Sequence, residues 1–110
     1  MTTESCITFV DTLSPNAVPA LLKQRWLAEL EGYILVEIKH HDPEALDIRG
    51  KEGEELYLSA PFPYDRVYWT YLVAMIDFWN GDLSRYKETA DLFYGTLEAY
   101  AKWCQRGRGC

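Results

Sequence analysis

Between about residues 63 and 80 the chain carries apolar side chains on almost every face of what must be a helix: Val67, Tyr68, Trp69, Tyr71, Leu72, Val73, Met75, Ile76, Phe78 and Trp79. A helix that is apolar all round does not stand against solvent. It lies at the centre of its fold, or part of it is covered by a partner. The rest of the chain therefore has to wrap around this segment. Asn80-Gly81 ends the helix, with Gly81 where a left-handed cap is needed, and Asp82 can cap a following helix. From 83 to about 105, Leu83, Tyr86, Ala90, Phe93/Tyr94, Leu97, Tyr100/Ala101 and Cys104 recur at helical spacing, while Arg85, Lys87, Glu88, Asp91, Glu98 and Lys102 take the opposite face. So short a link leaves these two helices an antiparallel hairpin.

The first half supplies two more helices. Residues 3–13 place Cys6/Ile7, Val10 and Leu13 at helical spacing in a β-branched setting, and Ser14-Pro15-Asn16 breaks the chain. A second helix starts at Pro19, whose missing N–H is harmless in a first turn. Leu22, Trp26, Leu30, Tyr33/Ile34 and Ile38 mark its apolar face, and Lys23, Gln24, Glu31 and Glu37 are expected to face water. Gly32 suggests close packing or a bend, and the helix runs out at His40-His41-Asp42-Pro43. Residues 42–62 form a long polar connection with one strand-like piece, Glu55-Leu56-Tyr57-Leu58. Connections of this length in a small domain tend to be functional. A lone strand needs a partner, either in the same chain or in a neighbouring subunit. The expected fold is mainly α: one domain over 1–110, a small bundle of about four helices, with a long loop carrying one short β-strand and a flexible tail at 106–110.

Composition narrows the function classes. The formal net charge is −6, which disfavours free nucleic acid as the main partner despite the basic residues Lys102, Arg106 and Arg108. No run approaches the roughly 20 apolar residues of a membrane span, and the start Met1-Thr2-Thr3-Glu4 does not read as a secretory leader. Cys6, Cys104 and Cys110 are odd in number and lack metal-site spacing, which suits free thiols in a reducing cytoplasm.

Candidate chemistry is sparse. Glu37 and His41 are i,i+4, with His40 and Asp42 alongside, but histidines at a helix end also answer the helix dipole, and that reading is preferred to a metal site. Asp77, inside Ala74-Met75-Ile76-Asp77-Phe78-Trp79, is the sharper oddity. A buried carboxylate must be paired or protonated, and Arg25 and Arg85 are the plausible cations. No second positioned base or nucleophile accompanies it, so a structural ion pair is preferred to a catalytic acid. There is no phosphate-binding glycine loop and no serine elbow. The expectation is a protein without catalytic, metal or cofactor sites. Tyr64, Tyr68, Trp69, Tyr71, Phe78, Trp79, Phe93, Tyr94, Tyr100 and Trp103 exceed what a small core hides, and tyrosine and tryptophan are the residues that anchor protein interfaces.

The run Lys23-Gln24-Arg25-Trp26-Leu27-Ala28-Glu29-Leu30-Glu31-Gly32 resembles the second-helix signature of small proteins from phage and prophage packaging-and-head gene clusters. Pro63-Tyr64-Asp65, Tyr71-Leu72-Val73-Ala74-Met75-Ile76-Asp77-Phe78-Trp79-Asn80-Gly81, Arg85-Tyr86 and Tyr100-Ala101-Lys102-Trp103-Cys104-Gln105-Arg106 are similar to the same proteins. These are the head–tail connectors (adaptor, or head-completion, proteins) of long-tailed phages. The resemblance covers most of the chain and is weakest over 43–58. It implies a structural protein that forms a homo-oligomeric ring under the portal protein and offers a surface to the next connector or tail protein. DNA passes by without specific binding, no cofactor or membrane is involved, and the protein is found in the host cytoplasm during assembly and then in the virion. Within such a ring the expected subunit contacts are Leu56, Tyr57, Leu58 and Phe62 with the flanking loop 42–62. The competing reading is a small cytoplasmic regulatory binder, antitoxin- or anti-repressor-like, which would form a dimer or a tight heterocomplex.

Overall fold

The computed structural model describes residues 1–45 and 55–107. The chain is mainly helical. Helix α1 spans Thr3–Leu13, α2 spans Ala20–Tyr33, α3 spans Arg66–Trp79 and α4 spans Leu83–Gln105. Thr2 caps α1 by accepting from the Ser5 amide while Ser5 returns the bond to the Thr2 amide. That reciprocal pair overcomes the poor intrinsic propensity of a β-branched segment.

Helix α3 sits in the middle, packing against α1, α2 and most extensively α4. Its apolar circumference is explained by that position: Val67, Tyr68, Leu72, Ala74 and Ile76 are buried on different faces. Phe78 and Trp79, at its last turn, are exposed. The hairpin link has the expected chemistry. Gly81 adopts φ +75°, its amide donates to Phe78 O, and the Asp82 amide donates to Asp77 O. These two bonds satisfy carbonyls that the helix end would otherwise leave open, in the Schellman arrangement. The Asp82 carboxylate then accepts from the Arg85 amide and starts α4.

Helix α2 departs from expectation in two ways. It passes into a π-helical turn at Ile34–Ile38 and ends where His40 takes φ +62°. A Cβ on Gly32 would meet nothing within 4 Å, so this glycine marks the approach to the π turn rather than a tight contact. The buried face is also rotated from the one expected. Lys23, Trp26, Leu27, Leu30, Glu31 and Ile34 are buried, whereas Tyr33 is exposed. Lys23 and Glu31 therefore face the interior, not water. Lys23, 3% exposed, ties α2 to α1 by donating from Nζ to both Asp11 carboxylate oxygens at 2.8 and 2.9 Å and to Asn16 Oδ1 at 3.2 Å.

The expected strand is reduced to a single antiparallel bridge between Thr2 and Tyr57. The Thr3 amide donates to Leu56 O at 2.9 Å, and the Leu58 amide donates to Met1 O at 2.9 Å. The partner of the strand-like piece is thus this chain's own amino-terminal segment. Positions 46–54 of the loop expected at 42–62, and 108–110 of the expected tail, lie outside the described residues.

The positive φ at Gly81 gives a direct test. Gly81→Ala should lower unfolding free energy by about 1–2 kcal/mol, because the strain is in the backbone and not in a collision, while Gly81→Asn should recover much of the loss. Urea denaturation followed by circular dichroism would read both. Equal stability of all three proteins would contradict the cap.

Candidate functional site

Residues 56–60 cross the surface as a strap between the amino terminus and the start of α3. Leu58 and Ala60 point into the core, while Tyr57 is 80% exposed and Phe62, just beyond, is 87% exposed. The four residues expected at a subunit contact therefore divide. Tyr57 and Phe62 are available to a partner, Leu58 is part of the chain's own core, and Leu56 is half-buried against it.

What holds the strap is Glu31. Only 2% exposed, its carboxylate accepts from the Ser59 amide at 2.7 Å, the Ser59 hydroxyl at 3.1 Å and the Tyr68 hydroxyl at 2.7 Å. The Tyr68 oxygen in turn accepts from the Ala60 amide at 2.8 Å. Among the described residues no cation lies within ion-pair distance of Glu31. A buried, unpaired carboxylate is costly, and here three hydrogen bonds to the charged group take the place of water. Burial and then the Glu31 charge raise the Tyr68 hydroxyl well above the ordinary tyrosine range. Burial first and Glu31 second push Tyr100 up to about 12, partly relieved by a hydrogen bond with the Ser59 side chain. One carboxylate thus joins α2, the strap and α3. Sequence reasoning missed it by centring the α2 stripe on Trp26 and Leu30. The signal was present: Lys23, Leu27 and Glu31 succeed one another at i,i+4, with Ile34 close to the same line.

Asp77 is buried, as expected, at 5% exposure. Its Oδ2 accepts from the Thr89 hydroxyl at 3.1 Å, and its Oδ1 lies 4.0 Å from Arg85 Nε. Arg25 is not its partner; that side chain is exposed and pairs with Glu29 at 3.4 Å. With its own carbonyl in the Schellman turn, Asp77 fastens the closed end of the hairpin twice, once by backbone and once by side chain. The Glu37/His41 spacing is lost because the helix ends before His41, and among the described residues no group of three potential ligands converges. Cys6 is a buried free thiol pushed up to about 12 by burial, with a smaller contribution from Asp65. Cys104 is disulfide-bonded instead of the free thiol expected.

A shallow open depression lined by Thr2, Glu4, Ser5, Thr8, Phe9 and Glu55 lies beside the bridge. Among the described residues no helix is long and apolar enough to cross a membrane. No family model, curated protein or solved structure matches the chain.

Replacing Glu31 by Gln should cost about 2–3 kcal/mol, because one carbonyl oxygen cannot serve three donors and the new NH2 faces other donors. Arg85→Ala should cost less than about 1 kcal/mol, since its contact with Asp77 is long and its side chain exposed. Chemical denaturation of both variants checks the order. The raised hydroxyls and thiol set an alkaline limit. Each group keeps its proton longer in the folded chain than in the unfolded one, so stability is intact below the unfolded values of 9.0 and 10.0 and falls as pH rises toward about 12. Unfolding free energy measured from pH 8 to 11.5 should decline from about pH 9 and more steeply above 10, while Cys6→Ala should remove the first part of that decline.

Proposed function

We propose that the chain is a protein-assembly module, and that its role is that of a head–tail connector: a subunit of a homo-oligomeric ring that docks on a portal protein and presents a surface to the next connector or tail protein. The observation that carries this reading is a pair of exposed apolar groups at opposite ends of the α3–α4 hairpin. Tyr57 and Phe62 are exposed on the segment that leads into α3, while Phe78, Trp79 and Leu83 are exposed around the turn. Helix α3 is 14 residues long, so its two ends lie about 20 Å apart at 1.5 Å per residue. In the closed fold Tyr57 is held by the amino-terminal bridge and the Glu31 hydrogen bonds, and Phe78 and Trp79 by the Schellman turn beside Asp77. Apolar side chains fixed in exposed positions at two ends suit a subunit with neighbours on more than one side, as ring geometry requires. The connector role is the part of the proposal taken from the sequence resemblance of the helical segments to connector proteins. In this reading the protein occupies the host cytoplasm during assembly and the virion afterwards, and DNA passes without specific contact.

The decisive experiment mixes the purified protein with the portal protein encoded near it and examines the product by mass measurement and electron microscopy. A ring stacked on the portal supports the connector. A tight one-to-one complex with another small protein, and no association with the portal, would favour a regulatory binder instead. The double variant Tyr57→Ala/Phe62→Ala should change unfolding free energy by no more than about 0.5 kcal/mol per site, since neither side chain is part of the core. It should nevertheless weaken assembly at least about tenfold if these aromatics anchor a contact.

A further inference from the structure

We propose that the strap 56–60 opens as a unit, separately from the four helices, with the Glu31 carboxylate as its hook. This rests on the hydrogen-bond pattern alone and is independent of the function proposed above. Among the described residues, two sets of hydrogen bonds hold the strap, beside the hydrogen bond of the Ser59 side chain with Tyr100. One is the bridge, where the Thr3 and Leu58 amides donate to Leu56 O and Met1 O and the Leu56 amide donates to Thr3 Oγ1. The other is the hook, where the Ser59 amide and hydroxyl donate to Glu31 and the Ala60 amide donates to Tyr68 Oη, itself bonded to Glu31.

The chemistry of the hook makes local opening easier than the burial of Glu31 suggests. Among the described residues no cation pairs with this carboxylate, and its hydrogen bonds come from the strap and from Tyr68. When the strap lifts, water takes the place of those donors and the charge regains its hydration, so the lost bonds are largely replaced. The apolar area exposed in the process is that of Leu56, Leu58 and Ala60 and of the core surface directly beneath them, while most of the apolar cluster is contributed by the helices. An apolar plug of the same size would recover nothing on leaving. The two anchors are also coupled, since only Tyr57 separates Leu56 from Leu58 and Ser59 follows directly. Releasing Glu31 removes the support for the bridge. The open state would display the Glu31 carboxylate and the Tyr68 and Tyr100 hydroxyls on a surface that the strap now covers.

Residue-resolved native-state hydrogen exchange at increasing denaturant tests this. The amides of Thr3, Leu56, Leu58, Ser59 and Ala60 should exchange through one shared opening, roughly 100-fold or more faster than the amides of Leu72 to Ile76 in α3, and with a smaller denaturant slope. Equal protection of strap and α3 amides would overturn the proposal, because the strap would then open only with the whole fold. Separate, unrelated values for the strap amides would overturn it too, by showing fraying residue by residue. In Glu31→Gln the Thr3 and Leu58 amides, which do not touch Glu31, should accelerate together with Ser59 and Ala60 by roughly tenfold more than the α3 amides do. Acceleration confined to Ser59 and Ala60 would overturn the proposal, because the hook and the bridge would then open independently. Should Glu31→Gln not fold, Ser59→Ala removes one hydroxyl donor and should give the same pattern at smaller amplitude.

Discussion

The fold depends on how a single carboxylate is satisfied. Glu31 lies on the buried face of α2 with no cation beside it among the described residues, so its charge can stay inside only if donors converge on it. They come from Ser59 on the strap and from Tyr68 on α3, and the Tyr68 oxygen then holds the Ala60 amide. Tyr100 on α4 feels the same charge. A set of apolar contacts among these elements would tolerate sliding. Three hydrogen bonds to one fixed point do not, because each is lost within a fraction of an ångström. The position of the strap, and with it the display of Tyr57 and Phe62, follows from where Glu31 stands.

A second polar anchor fixes the other end of the molecule. Asp77 closes the α3–α4 hairpin with its carbonyl in the turn and its carboxylate on Thr89, while Arg85 stays loosely associated at the surface. Lys23 plays the matching part between α1 and α2 through Asp11 and Asn16. In each case a buried charge is compensated by groups from another segment, and the geometry of that compensation orients the helices around α3. Dispersion and apolar burial supply the driving force, and the charged anchors select one arrangement among many of similar area.

The same division explains why the exposed aromatics stay exposed. Side chains on a free loop would collapse onto the nearest apolar surface. Tyr57 sits on a segment whose main chain is bonded on both sides of it, and Phe78 and Trp79 close a helix whose end is fixed by Gly81 and Asp77. Their exposure is built into the backbone. That is the physical ground for reading both ends as surfaces for other proteins, and it links the interior hydrogen bonds to the proposed assembly role.

The sequence by itself determined the helices and the hairpin. An apolar run between Pro63 and Asn80, a glycine able to take positive φ, and Asp82 ahead of a clean stripe leave few alternatives, because these signals act within a few residues of one another. Burial of Asp77 was legible for the same reason, as an acid with apolar neighbours on every side. The tertiary structure alone decided which charges went inside on α2, where a stripe read one position off turned Glu31 and Lys23 toward water. It also decided that Arg85 rather than Arg25 approaches Asp77, and that residues 56 and 58 bond to this chain's own first residues. Each of these depends on groups many positions apart meeting in space, and pairing across such distances leaves no periodic trace in the sequence for local rules to detect.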